Sequence, residues 1–158
     1  MSAEETPKIS VKGTVSISAE EVLRLVETWF EGVAHAAPAE VQQKCFAPGA
    51  GVSIWTGQAF SMVEHIELHK ALEDEVHRAL TLELSAMPGA PGRITVRGTV
   101  EWQATIKGKA SEPRRIRAIA DEDWDIERGP DGRPRFARYL TRAIRYLPGS
   151  AELSLPGR

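Results

Sequence analysis

The residues best suited to moving protons crowd into one stretch, Val63-Glu64-His65-Ile66-Glu67-Leu68-His69-Lys70-Ala71-Leu72-Glu73-Asp74-Glu75-Val76-His77. An imidazole titrates near pH ~6.5, so a histidine held against a substrate can take up and return a proton at neutral pH. The spacing predicts a helix from about Met62 to Leu80. At about 100° per residue, Met62, Ile66, Leu68, Leu72, Val76, Ala79 and Leu80 fill one broad arc of the wheel. Glu64, Glu67, Lys70, Asp74, Glu75 and Arg78 fill the opposite arc, while His65 and His69 fall among the apolar residues and Glu73 and His77 lie at their edge. Two imidazoles on a packed face either find fixed hydrogen-bond partners or line a cavity. His65 and His69 are therefore the candidate bases, with His77 as a ligand contact.

A His-x3-His pair could instead chelate a metal. Each helical turn advances about 5.4 Å, however, so four residues strung along one helix cannot converge on one ion. The strands offer no further histidine or cysteine, and no His-Glu-x-x-His pattern is present. The reading is no metal and no cofactor.

A second chemical candidate is the acidic run Asp121-Glu122-Asp123-Trp124-Asp125-Ile126-Glu127. Its strand folds back at Gly129-Pro130-Asp131-Gly132 beside Arg133, Arg135, Arg138 and Arg142, so cross-strand ion pairs account for most of it. Alternation puts Glu122 on one face with Trp124 and Ile126, and Asp121 on the other with Asp123 and Asp125. If the Trp124 face points inward, the buried acid is Glu122; a bulge would exchange the two sets. Asp121 is carried as a further catalytic candidate. Trp55, Trp102, Trp124 and Tyr139 sit on different strands that could converge on one aromatic interior, suited to a flat apolar ligand. Cys45, the only cysteine, reads as a small buried hydrophobe.

These residues need elements to position them. Residues 1–8 read as a tail, and alternation from Ile9 to Ile17 allows a short strand. Ser18-Ala19-Glu20-Glu21 fits a capping box ahead of a helix over about 19–34, with Val22, Leu25, Val26, Trp29, Phe30 and Val33 on one face. Pro38 opens a short helix through about Phe46, and Val52 to Gly57 reads as a strand and turn. Four strands follow near 81–87, 93–107, 114–128 and 134–147, with residues 148–158 as a C-terminal tail. The second strand alternates cleanly, and Gly98 near its middle marks a bend. Helices first and antiparallel strands afterwards spell one α+β domain over 9–147.

The order of elements resembles the nuclear-transport-factor-2-like superfamily, and within it the SnoaL-like, polyketide-cyclase-like domains. Trp29-Phe30, the passage from Phe46 to Trp55, and the hairpin from Asp123-Trp124-Asp125-Ile126 to Arg138-Tyr139-Leu140 carry the likeness. It implies a cone: a strongly bent sheet wrapped around three N-terminal helices, with an internal pocket bordered by the third. It further implies a small apolar or aromatic ligand, isomerase, dehydratase or cyclase chemistry by proton transfer, and pairing of two chains through the sheet.

The composition agrees with a folded domain. The 158 residues carry 20 Lys+Arg against 22 Asp+Glu and are 42% hydrophobic. A net charge of −2 argues against nucleic acid as a partner. No apolar run reaches the ~20 residues of a membrane span. One cysteine and no leader-like N-terminus suggest a cytoplasmic protein.

Overall fold

The computed structural model describes residues 6–155. Strand β1, Lys8–Lys12, leads to the expected capping box. Ser18 Oγ accepts from the Glu21 amide, and the Glu21 carboxylate accepts from the Ser18 amide. Helix α1, Ala19–Ala34, follows and buries all six residues of its apolar stripe. Arg128 clasps the helix start through Glu21 (2.7 Å) and the Ser16 carbonyl (3.1 Å). Then come α2 (Ala39–Gln43), β2 (Val52–Ile54), β3 (Ala59–Phe60), α3 (Met62–His69), β4 (Leu72–Ala86), β5 (Arg93–Ile106), β6 (Arg115–Arg128) and β7 (Pro134–Tyr146). The strands form one sheet in the order β1-β4-β5-β6-β7-β2-β3. The long strands β4 to β7 are antiparallel neighbours, whereas β1 on β4 and β2 on β7 are parallel. This is the α+β architecture expected, with its helices before the long strands.

The largest departure is the third helix, which does not run to Leu80. It stops at His69, where the Lys70 amide closes on the Ile66 and Glu67 carbonyls, and the chain enters β4 at Leu72. Glu75 and His77 are therefore strand residues. The error has a definite cause. A strand normally alternates, but β4 slips register against β5 between Glu73 and Val76 and again between Ala79 and Thr81. Each slip inserts one residue and resets the phase, so Leu72, Glu75, His77, Ala79, Leu82 and Leu84 end up on the inner face. That spacing breaks the two-residue alternation by which a strand would be recognised. Asp74 accommodates the first slip with φ 51°, a conformation that Asp tolerates better than most side chains.

Gly98 stands where the second slip bends the sheet. It pairs with Leu82 on one side and Glu122 on the other. A Cβ there would collide with the Thr81 carbonyl oxygen, so only glycine allows β4 to approach. The main core packs α1 against the inner face around Trp29, Leu82, Val96, Trp124 and Phe136. A second cluster at the other end of the sheet joins Leu72, Trp102, Ala104, Ile116, Ala118 and Ala151. Past β7 the chain turns at 147–150 and folds back, the Ala151 amide donating to the Arg115 carbonyl at 3.0 Å. Among the described residues no helix is long and apolar enough to cross a membrane.

Candidate functional site

A cavity of about 110 Å³ lies between the two clusters, walled by α1, α3, the long strands and the segment after β7. His65, His69, His77, Trp55, Trp102 and Tyr139 all line it. Trp124 does not. It is fully buried behind the wall, stacked on Tyr139 with ring centroids 5.3 Å apart, and corrects its reading as a ligand contact. Asp121 also lies elsewhere, on the outer face, 2.9 Å from Arg145. The Trp124 face points inward, so the acid delivered to the cavity is Glu122.

A second capping box starts α3, with Ser61 Oγ accepting from the Glu64 amide. The helix then presents His65 and His69 one turn apart, their ring centroids separated by 4.3 Å. The first slip of β4 turns Glu75 towards them. Its carboxylate lies 2.7 Å and 2.9 Å from His69 Nδ1 and accepts from Trp102 Nε1 at 3.1 Å. Burial alone would push the Glu75 carboxyl up, but the hydrogen bonds from His69 and Trp102 outweigh it and hold the group below its ordinary range. An ionised carboxylate only accepts. His69 Nδ1 must therefore carry a proton, so in the neutral ring Nε2 is the nitrogen that holds the lone pair.

Glu75 is the residue the sequence reading missed, because on a helical wheel it lies among the solvent-facing charges. The available signal was its neighbour: an aspartate is the residue type to suspect where a strand must take up left-handed backbone.

Burial favours the neutral form of His65 and His77, the other two cavity histidines. His65 is pushed well below its usual range by burial and by neighbouring His69 and His77. His77, stacked on Phe30 at 5.1 Å, is lowered by burial to about 4, Glu75 partly opposing the shift. The Nδ1 atoms of both rings are buried and have no hydrogen-bond partner among the described residues.

Across the cavity Glu122 behaves in the opposite sense to Glu75. Burial raises its carboxyl to about 8, although Trp124 Nε1 (3.2 Å) and Thr141 Oγ1 (3.1 Å) both reach it. At neutral pH it is largely a neutral acid and can donate a proton. Tyr139 is pushed well above its usual range, by burial first and then by Glu122. Among the described residues no three His, Cys, Asp or Glu side chains are placed to hold a metal ion.

No family model and no curated protein matches the chain. Solved structures do. An uncharacterized protein with a cystatin-like fold from Caulobacter vibrioides superposes with a TM-score of 0.60 at 16% identity, over 81% of this chain and 88% of its own. Hexachlorocyclohexane dehydrochlorinase LinA-type3 from Novosphingobium barchaimii LL02 gives 0.64 at 14% identity, over 86% and 94%. A ketosteroid isomerase-like protein from Erwinia carotovora atroseptica SCRI1043 gives 0.58 at 13% identity, over 80% and 96%. At such identities the likeness speaks for the backbone alone, and on that ground the chain has a cystatin-like, nuclear-transport-factor-2-like fold.

Proposed function

We propose that the protein is a cofactor-independent enzyme that takes a proton from carbon in a small, uncharged, apolar substrate. The observation that carries this reading is the His69–Glu75 pair: a cavity-lining imidazole whose Nδ1 is held at 2.7 Å by a buried carboxylate. Such a partner fixes the tautomer and stabilises the imidazolium that forms. His69 Nε2 accepts the proton. The electron pair left on carbon shifts towards an oxygen or expels a leaving group, and Glu122, on the opposite wall, donates to the developing negative charge. Returning the proton to another carbon completes an isomerisation; loss of the leaving group completes an elimination. Two superposing proteins, described as a dehydrochlorinase and as ketosteroid isomerase-like, lend the class of chemistry support without naming the substrate.

The test is hydrogen exchange. A panel of small cyclic ketones is incubated with the protein in deuterium oxide, and label at the carbon beside the carbonyl is followed by NMR. Exchange above the buffer rate that disappears in His69→Gln is expected. Exchange unaffected by that substitution, or absent from every ketone, would leave a ligand-sequestering protein as the better account.

A further inference from the structure

The segment after β7 forms part of the cavity wall. Ala151, Leu153 and Leu155 turn inward, while Glu152 and Ser154 face solvent. Leu153 packs on the Trp102 cluster and Leu155 on the α1 cluster, so the segment straps the two together across the space where His65 and His69 stand. Its root is well tied. Ser150 Oγ accepts from the Arg117 amide at 2.8 Å, and Ala151 pairs with Arg115. Beyond Ala151, among the described residues, one hydrogen bond fixes it, from the Leu153 amide to the Tyr146 hydroxyl at 3.2 Å. The two leucines thus occupy volume that would otherwise extend the cavity, on a support that a single hydroxyl positions.

We infer that Leu153 and Leu155 are the specificity-determining residues of this cavity and limit it to uncharged molecules about the size of one six-membered ring. The inference rests on the reading of the cavity as the substrate site. An apolar cavity of about 150 Å³ holds one benzene, and the present space of about 110 Å³ is of that order. Among the described residues no Lys or Arg lines it, so an anionic group would meet no counter-charge from them. Each leucine cut back to alanine frees roughly three carbons of volume at the strap end, enough in sum for a second fused ring. Glu152 and Ser154, facing away, have no part in this.

Benzyl alcohol and 2-naphthalenemethanol share the same uncharged head and differ by one ring. On hydrophobicity alone the larger binds more tightly. Titration by tryptophan fluorescence should show the reverse for the wild type, with the single ring favoured at least tenfold. Leu153→Ala/Leu155→Ala should invert the preference. Tyr146→Phe, which loosens the strap without touching the lining, should narrow it, and Glu152→Ala should leave it unchanged. Should the double variant fail to fold, Tyr146→Phe decides. A wild type that prefers the two-ring alcohol or binds neither overturns the proposal, as does a ratio unmoved in both strap variants. Failure of proton exchange with a shifting ratio would sink the enzymatic reading and leave the size limit standing.

Discussion

The two walls of the cavity each carry a buried glutamate, and the two have opposite fates. Glu75, on the α3–β4 wall, is met by an imidazole and an indole N–H and stays ionised. Glu122, on the β6–β7 wall, is also met by an indole N–H and by a hydroxyl, yet burial raises it to about 8. The difference lies in the partner. A histidine can share positive charge with a carboxylate, whereas Trp124 and Thr141 offer only neutral donors, too little to offset desolvation. One chain thereby holds a carboxylate that supports a base and a carboxylic acid that can donate. Pushing two such groups apart is how acid and base roles are divided at one pH.

The comparison breaks most sharply at His69. His69→Gln keeps an N–H for Glu75 but removes the proton acceptor, and proton exchange should fall by about 10²–10⁴-fold. Glutamine is chosen because alanine would strand a buried carboxylate, with an expected penalty of roughly 3–5 kcal/mol. Glu75→Gln should lower the rate less, since the imidazole remains but loses the anion that favours its protonated form. A Glu75→Gln variant with the wild-type exchange rate would show that the pair is structural.

How much of this contrast the sequence discloses depends on the period of each element. His65 and His69 are readable because α3 is a true helix over both. Glu75 is not, because its inward turn depends on a register slip against β5 that no local pattern encodes. Alternation narrows the β6 acid to Glu122 or Asp121, and the direction in which Trp124 faces settles it only once the sheet is packed. α1 and the three strands after β4 are legible nearly to the residue, since caps, turn residues and clean periods agree there. The inward leucines of the final segment escape notice because five residues are too few to establish a period.

Stability against pH sharpens the comparison next. Glu122 moves from 4.5 to about 8 on folding, so the folded chain holds a proton that the unfolded chain has lost. Its contribution is full below pH 4.5 and disappears as pH rises through 8, with a slope of about 1.4 kcal/mol per unit at most. His77 runs the other way. It falls from 6.5 to about 4, so its contribution is present above 6.5 and lost as pH drops towards 4, and His65 shifts in the same direction. Between 4.5 and 6.5 the two histidines outweigh the one glutamate; above 6.5 the glutamate acts alone. Urea midpoints should therefore peak near pH 6.5, and Glu122→Gln should flatten the decline on the alkaline side. Parallel midpoint curves for the two proteins from pH 5 to 8 would mean that Glu122 is not held neutral in the fold.

The smallest effect should come from the next residue along. Asp121 shares its strand with Glu122 but faces outward, bonded to Arg145, whose side chain is 58% exposed. Water and salt already screen that pair, which bounds its worth at about 1 kcal/mol. Asp121 also raises the Glu122 carboxyl slightly by like-charge repulsion, one of the lesser influences on it. Asp121→Asn should thus leave the urea midpoint and the exchange rate nearly unchanged, moving the end of the alkaline decline only marginally towards lower pH. A large loss of exchange in this variant would place the working acid on the outer face and undo the assignment of Glu122. One residue of separation along a strand is a change of face, and that alone should divide a chemical carboxyl from a solvated one.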